Sequence, residues 1–455
     1  MAPPSWQMPG MPQFCLRIGP TRRNPNGAPE RTPIEAQPTH RDVPHRLYTW
    51  AAAISLFIAP FPSTAGWRTA MLLIAASALA FLALSGRRGL GLASLPREFM
   101  VAALAWVALC VASLAWTDVG WYTSEELRRE LLYSALTFVV FYAGTREPRD
   151  LHIGVKALIA GALVMGALEW VRQLFPWLPR AVKYEAAQGS FSTHLAIVAP
   201  LLALIAWPGP VGMAARPRTI ALLAVGLIAS GLATENRMLW LSLAVGAVIA
   251  FVVFQAGAVP DRHRTRLLRI LLATLAVIAL VIAASWEYKV ARYYPKAVTT
   301  VESLSMDERP RVWAAAIALF EQRPLLGHGF GREIVGDPIE RSLPEHRRQP
   351  RIRHGHNVFL DVALQLGALG LAVFVALLAT LVHAHARMRR TQLGAPIAIA
   401  GLAMIATFVT KNQTDDFFYR PGSLTFWAIN GMLLAIATRV ALNPAPPAAR
   451  DSSPP

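Results

Sequence analysis

Cysteine is nearly missing from this chain. Its 455 residues hold two: Cys15 in a basic, proline-rich stretch and Cys110 inside an apolar run. Two cysteines so placed imply neither a disulfide framework nor a thiolate metal site. Charge is scarce too. Only 16% of residues are charged while 54% are hydrophobic, and a soluble domain carries about a quarter charged residues. That balance excludes an ordinary soluble enzyme. Acidic groups are the rarest of the charged ones, 27 Asp plus Glu against 44 Lys plus Arg, for a formal net charge of +17. In a soluble chain this excess suggests nucleic acid. In one this apolar it reads as the basic loops of a membrane protein, and no nucleic-acid partner is expected. A signal-peptide apolar core, a fixed-period repeat and a pair of interrupted helices in matching halves are also lacking.

What the chain does have is about twelve apolar runs, most of a length that spans a bilayer. They lie near 47–62, 67–85, 99–116, 131–145, 151–175, 190–207, 219–234, 238–256, 267–286, 356–382, 395–411 and 422–439. The first and fourth are short. Backbone groups in lipid must be satisfied within the segment, so these are helices. The expected fold is all-α: a polytopic inner-membrane protein with about twelve transmembrane helices and one long, partly helical periplasmic loop. Residues 1–46 read as a disordered cytoplasmic tail, 47–286 as helices one to nine and 287–355 as the loop. Residues 356–440 read as helices ten to twelve and 441–455 as a cytoplasmic tail.

Orientation follows from the arginines. Arg87, Arg88, Arg146, Arg149, Arg216, Arg218, Arg262, Arg264, Arg387 and Arg389 all fall on one side if the spans alternate. By the positive-inside rule that side is the cytoplasm. The interval from Glu287 to Gly355 then faces outward, into the periplasm of a cell with an envelope. The segment Asp118 to Glu130 reads as a short, acidic outer connection. Inside the long interval, Pro310 opens a helical stretch through about Gln322, with Val312, Ala316, Leu319 and Phe320 as its apolar stripe. Arg311 lies off that stripe, above small alanines. Gly327, Gly329 and Gly331 read as a flexible turn, and Arg347 to Arg353 as a solvated charge run.

Three residues stand out at the outer boundary. Arg237 begins the eighth span, on the side where positive charge is not expected. Arg311 lies near the start of the loop helix, whose N-terminus favours anions. His356 opens the tenth span. Arginine grips phosphate oxygens with a planar fork and stays charged; histidine can take a proton near neutral pH. Each also has a plain reading. Arg237 can snorkel to headgroups, Arg311 can be a solvated charge, and His356 can be a polar boundary residue. His354 rivals His356 as the base. His194, at an outer span end, suits a packed, hydrogen-bonded role. Asp415 and Asp416 are a carboxylate pair with no nearby histidine, a weak metal signal, and no metal or cofactor is expected.

The stretches Arg311-Val-Trp-Ala, Pro324-Leu-Leu-Gly327-His-Gly329-Phe-Gly331 and His356-Asn357-Val-Phe-Leu-Asp followed by Gln365-Leu-Gly367 resemble the bacterial O-antigen ligase family. The hairpin Glu235-Asn236-Arg237 resembles that family's arginine-bearing turn, which more often reads Ser-Arg-Gly. The resemblance implies glycan transfer from undecaprenyl pyrophosphate to lipid A–core on the periplasmic face, without a metal. Carried over, Arg237 and Arg311 hold the pyrophosphate and His356 acts on the acceptor. The expected partners are the undecaprenyl-pyrophosphate-linked glycan, lipid A–core and membrane lipids. The residues suit this chemistry by themselves. Pyrophosphate is a good leaving group that arginines can neutralise, and one base with in-line attack inverts the anomeric centre. Alternatives are an O-antigen polymerase or a protein O-oligosaccharyltransferase of the same superfamily, or a lipid-linked oligosaccharide transporter.

Overall fold

The computed structural model describes residues 43–86, 89–175, 177, 188–209, 211–256, 264–293, 309–343, 353–414, 416 and 418–442. Among these every regular element is helical and no strand occurs. In chain order the helices are α1 Val43–Phe57, α2 Ala65–Leu84, α3 Arg97–Ala112, α4 Gly120–Glu126, α5 Tyr133–Gly144, α6 Pro148–Leu174, α7 Gln188–Val198 and α8 Leu202–Ala206. There follow α9 Pro217–Ala233, α10 Arg237–Gln255, α11 Arg264–Tyr293, α12 Arg309–Gln322, α13 Gly336–Ser342, α14 Val358–Met388, α15 Ala395–Lys411 and α16 Pro421–Leu442. Six segments are long and apolar enough to cross a membrane: Ala65–Leu84, Arg97–Ala115, Pro148–Leu174, Gly189–Ala206, Arg237–Gln255 and Val358–Met388. The protein is a multi-pass, all-α membrane protein.

Several boundaries differ from those read in the sequence. α1 begins at Val43, four residues inside the expected tail, because the apolar face of the helix already includes Tyr48 and Ala51, buried against the bundle. The acidic connection 118–130 is not an open loop. It folds as α4 and a π-helical turn over Leu127–Leu132 that runs on into α5. α11 continues to Tyr293, so the helix runs past Glu287 into the polar interval. Glu169 is wholly buried in α6 and is satisfied one turn on by Arg172, an internal ion pair rather than a step on a charged path.

Buried hydroxyls tie the apolar helices together. Ser134 of α5 pairs with Ser423 of α16 at 2.8 Å, and the Tyr142 hydroxyl lies 2.8 Å from Ser94 Oγ and 3.1 Å from Thr438 Oγ1. With no hydrophobic force between helices in lipid, such bonds and close packing do the joining. α10 and α15 pack antiparallel. Gly246 fits against Ala403 and Thr407, where a Cβ would lie 2.3 Å from the threonine methyl, while Val253 packs with Ala398 and Leu402. Arg237 precedes Gly246 by as many residues as Asn412 follows Ala403. The register therefore carries Arg237 to the Asn412 end of α15.

α14 is two helices in one. Gly367 breaks it with φ 66° and ψ −166°, where a continuous span from 356 was expected. An unbroken helix would bond Ala368 N to Leu364 O and Leu369 N to Gln365 O. Here the segment after α12 takes those places. His328 N and Gly329 N donate to Leu364 O and Gln365 O at 2.9 and 2.8 Å, and Ala368 N and Leu369 N donate to Pro324 O and Leu325 O at 2.8 and 3.3 Å. Two intrahelical bonds give way to four between segments.

The glycine turn is thus a tightly packed clasp, not a flexible one. Gly327 has φ +66°, and a Cβ there would lie 2.5 Å from the Gln365 backbone carbonyl. A left-handed L-residue costs roughly 1–2 kcal/mol before any clash. Gly327→Ala should therefore melt at clearly lower temperature in detergent, or fail to accumulate. Gly66→Ala, at a site with nothing within 4 Å, should not. Equal melting of the two variants would refute the clasp.

Candidate active site

The outer end of α14 gathers the candidates. Asn357 caps the helix: its Oδ1 accepts from Phe359 N and Leu360 N at 2.9 and 3.2 Å, the ordinary duty of an N-cap asparagine. Its Nδ2 donates to Gln413 O at 2.9 Å, and Val358 N donates to Asn412 O at 3.0 Å. The end of α15, and with it the Arg237 end of α10, is stitched to the start of α14 beside His356. α12 packs on the first half of α14 through Val312 and Ala316, which are buried with Leu364. Arg311 is exposed on that helix, next to exposed Ala314. Arg237, Arg311 and His356 therefore come to one end of the bundle from three separate elements.

His356 is half-buried in a left-handed backbone conformation, φ 50°. Non-glycine residues take that conformation at a cost, and they do so often at functional sites. Its ring packs against that of His354, centroids 4.0 Å apart and planes tilted by 42°. His354 is different. It is 5% exposed, and Arg332 Nη2 lies 2.8 Å from its Nε2. Nδ1 accepts from the His356 amide at 3.1 Å and lies 3.6 Å from Asp361 Oδ2. Both nitrogens of His354 are committed within the protein.

Arg332 is the hub. Its Nη2 donates to the Asp416 carbonyl at 2.6 Å and its Nε lies 3.3 Å from Asp416 Oδ2, while the guanidinium sits 4.8 Å from the centre of the Tyr419 ring. Asp361 accepts from Gly355 N at 2.5 Å, and its carboxylate lies within 4.8 Å of that of Asp416. Burial pushes Asp416 up to about 6, with Arg332 pulling the other way. Among the described residues His354, Asp361 and Asp416 form a group able to hold a metal ion, their ligand atoms all within 4.8 Å. Arg332 already contacts two of the three, so a cation would have to displace it.

The other candidates fall elsewhere. His194 is buried in α7. Asp415 lies outside the described residues, as do Arg347, Arg348 and Arg351. Arg353 is not a solvated charge: it pairs with Asp337, with Glu340 at 2.9 Å and with Glu333 at 3.4 Å, holding α13 in place. Sequence reasoning missed Arg332 and Asp361. A signal for Asp361 existed, since a carboxylate near the start of an apolar run marks function by default. Arg332 had none beyond its place after Gly331.

The O-antigen ligase family matches residues 221–375, a stretch that contains Arg237, Arg311, Arg332, His354, His356 and Asp361. An O-antigen ligase of Pseudomonas aeruginosa is 26% identical over 316 residues, 68% of this chain and 69% of that protein. Over these stretches the chain is similar to the O-antigen ligase family.

Proposed function

We propose that this chain is a membrane glycosyltransferase that moves a glycan from undecaprenyl pyrophosphate to a sugar hydroxyl of lipid A–core, with inversion. The observation that carries the reading is the convergence of Arg237, Arg311 and His356 at one end of the bundle, on three elements held together by the α14 clasp and the Asn357 stitching. Arg237 and Arg311 hold the pyrophosphate and offset the charge that grows on it as the bond from the anomeric carbon breaks. His356 takes the acceptor proton as the new glycosidic bond forms from the opposite face. His354 is tied down by Arg332, so it positions His356 through the contact of their rings instead of acting as the base. Asp361 and Asp416 belong to the same support.

Positive charge on alternate loops supports a chain of about twelve spans in the inner membrane, with both termini cytoplasmic and α12, α13 and His356 facing the periplasm. No step needs a cofactor. A polymerase of the same superfamily would use the same donor with a second lipid-linked glycan as acceptor. Lipopolysaccharide gels separate the two. Cells lacking the chain should show lipid A–core with no glycan attached, while the lipid-linked glycan accumulates. Core capped with a single repeat unit would instead be the mark of a missing polymerase.

A further inference from the structure

A cavity of about 320 Å³ lies between α3, α5, α14 and α16, within the size range of small-molecule pockets. On α3 alone its lining runs from Phe99 to Val107, about 12 Å of helix. The walls are apolar, Ala103, Phe138, Val362 and Trp427 among them, so the space suits a hydrocarbon chain. It reaches the lipid-facing surface, since Leu104 is 64% exposed, Ala135 is exposed, and both line it. Its polar end is made of Glu126, Glu130, Arg332 and Asp416. Nothing in the proposed transfer uses Glu126 or Glu130.

Two carboxylates at that end lack donors. Glu126 is 2% exposed, and among the described residues no donor reaches its Oε2. Glu130 Oε1 accepts no hydrogen bond either, although Arg420 Nε approaches to 3.8 Å. The two carboxylates are close enough to raise the cost of ionising each other. Nor do the charges balance. Arg332 is engaged with Asp416 and His354. Of the neighbouring charges, Arg129 is paired with Glu125 at 2.6 Å and Glu333 with Arg353 at 3.4 Å. That leaves the one guanidinium of Arg420 to face both Glu126 and Glu130. With both ionised, one negative charge is left over. A phosphate there would be repelled, so a lipid whose chain leads straight to a phosphate does not fit. A hydroxyl supplies a donor without the charge, and a quaternary ammonium the charge without a donor. A primary ammonium supplies both.

We infer that this cavity binds a lipophilic primary amine, its hydrocarbon chain between the helices and its ammonium donating to Glu126 and Glu130. In such a molecule the ammonium sits directly on the chain, so it meets the carboxylates where the apolar walls end. Burial pushes Glu130 up to about 7 and raises Glu126 as well, and a bound ammonium favours the charged form of both. The inference does not depend on the transfer reaction. It gives the chain a site for small cationic amphiphiles, next to the Arg332 network that supports His356.

The test is binding of radiolabelled dodecylamine to the protein purified in dodecyl maltoside, read by scintillation proximity against unlabelled competitors. Binding should saturate at one amine per chain. Unlabelled dodecylamine should displace the label at roughly tenfold lower concentration than dodecanol or dodecyltrimethylammonium, the scale of one charge-assisted hydrogen bond. Dodecyl phosphate should not displace it. The Glu126→Gln/Glu130→Gln double variant and Ala135→Trp, which blocks the opening from an exposed position, should each lose saturable binding. Equal displacement by dodecanol, dodecyltrimethylammonium or dodecyl phosphate would overturn the primary-ammonium assignment. Unchanged binding in either variant, or no saturable binding to the wild type, would overturn the site. If the double variant does not fold, Ala135→Trp decides alone.

Discussion

His356→Ala should lower glycan transfer by roughly 10²–10⁴-fold, the usual contribution of a positioned general base. Donor binding rests on the arginines and should change little, so the loss belongs in kcat. The wild-type rate should fall in acid as a histidine base protonates, and that limb should be missing from the residual rate of His356→Ala. Two neighbours need controls. His354→Ala removes the ring packed against His356, so it should slow the reaction yet keep the limb. Burial pushes Asp416 up to about 6. Its raised value means the fold favours the protonated carboxyl, a contribution fully present below the ordinary carboxylate range and lost as pH rises through about 6. Asp416 is held by Arg332 and serves as support for the site, so Asp416→Asn should also keep the limb. A limb that survives in His356→Ala and vanishes in Asp416→Asn or His354→Ala would move the base to that residue.

The arginines should divide into two kinds. Arg237→Ala and Arg311→Ala should leave a folded protein with transfer lowered by roughly 10²–10³-fold each, the scale for losing one preorganised donor to developing charge. Lysine at either position keeps the charge without the fork, so it should restore only part of the rate. Arg332→Ala should differ. It strips the partner from Asp416 and His354, which are 4% and 5% exposed, and breaking a buried pair on one side costs about 3–5 kcal/mol. Its melting temperature should fall together with activity. Thermal unfolding measured beside turnover separates the classes. An Arg332→Ala variant as stable as wild type, or an Arg237→Ala variant with full activity, would contradict the assignment.

Much of this architecture was legible. Helices occupy all twelve apolar runs, because run length and apolarity in a bilayer leave little else to form. α12 was also legible, from Pro310 and the spacing of Val312 and Ala316. The clasp was not. Gly327, Gly329 and Gly331 look permissive in one dimension, and only the tertiary contact with Gln365, Thr117 and Tyr122 shows that side chains are excluded there. Gly367 likewise sits unmarked in an apolar run, and its break is made good by a segment outside its own helix. In the site, Arg237, Arg311 and His356 could be singled out because charge at a span boundary is conspicuous. His354 and His356 could not be told apart. Their difference depends on Arg332 and Asp361, which reach the buried His354 through the fold, while His356 stays half-buried. Asp416 was read as half of a carboxylate pair with Asp415, whereas its partners are Arg332 and Asp361.

The most direct measurement is transfer by the purified protein in excess EDTA, with an undecaprenyl-pyrophosphate glycan as donor and either lipid A–core or a second lipid-linked glycan as acceptor. The account predicts glycan on lipid A–core, of inverted anomeric configuration, at a rate that EDTA leaves unchanged. Product formed only on the second lipid-linked glycan would make the chain a polymerase. Turnover abolished by EDTA and restored by a divalent cation would hand the phosphate chemistry to a metal, with His354, Asp361 and Asp416 as its ligands, and would contradict the arginine mechanism.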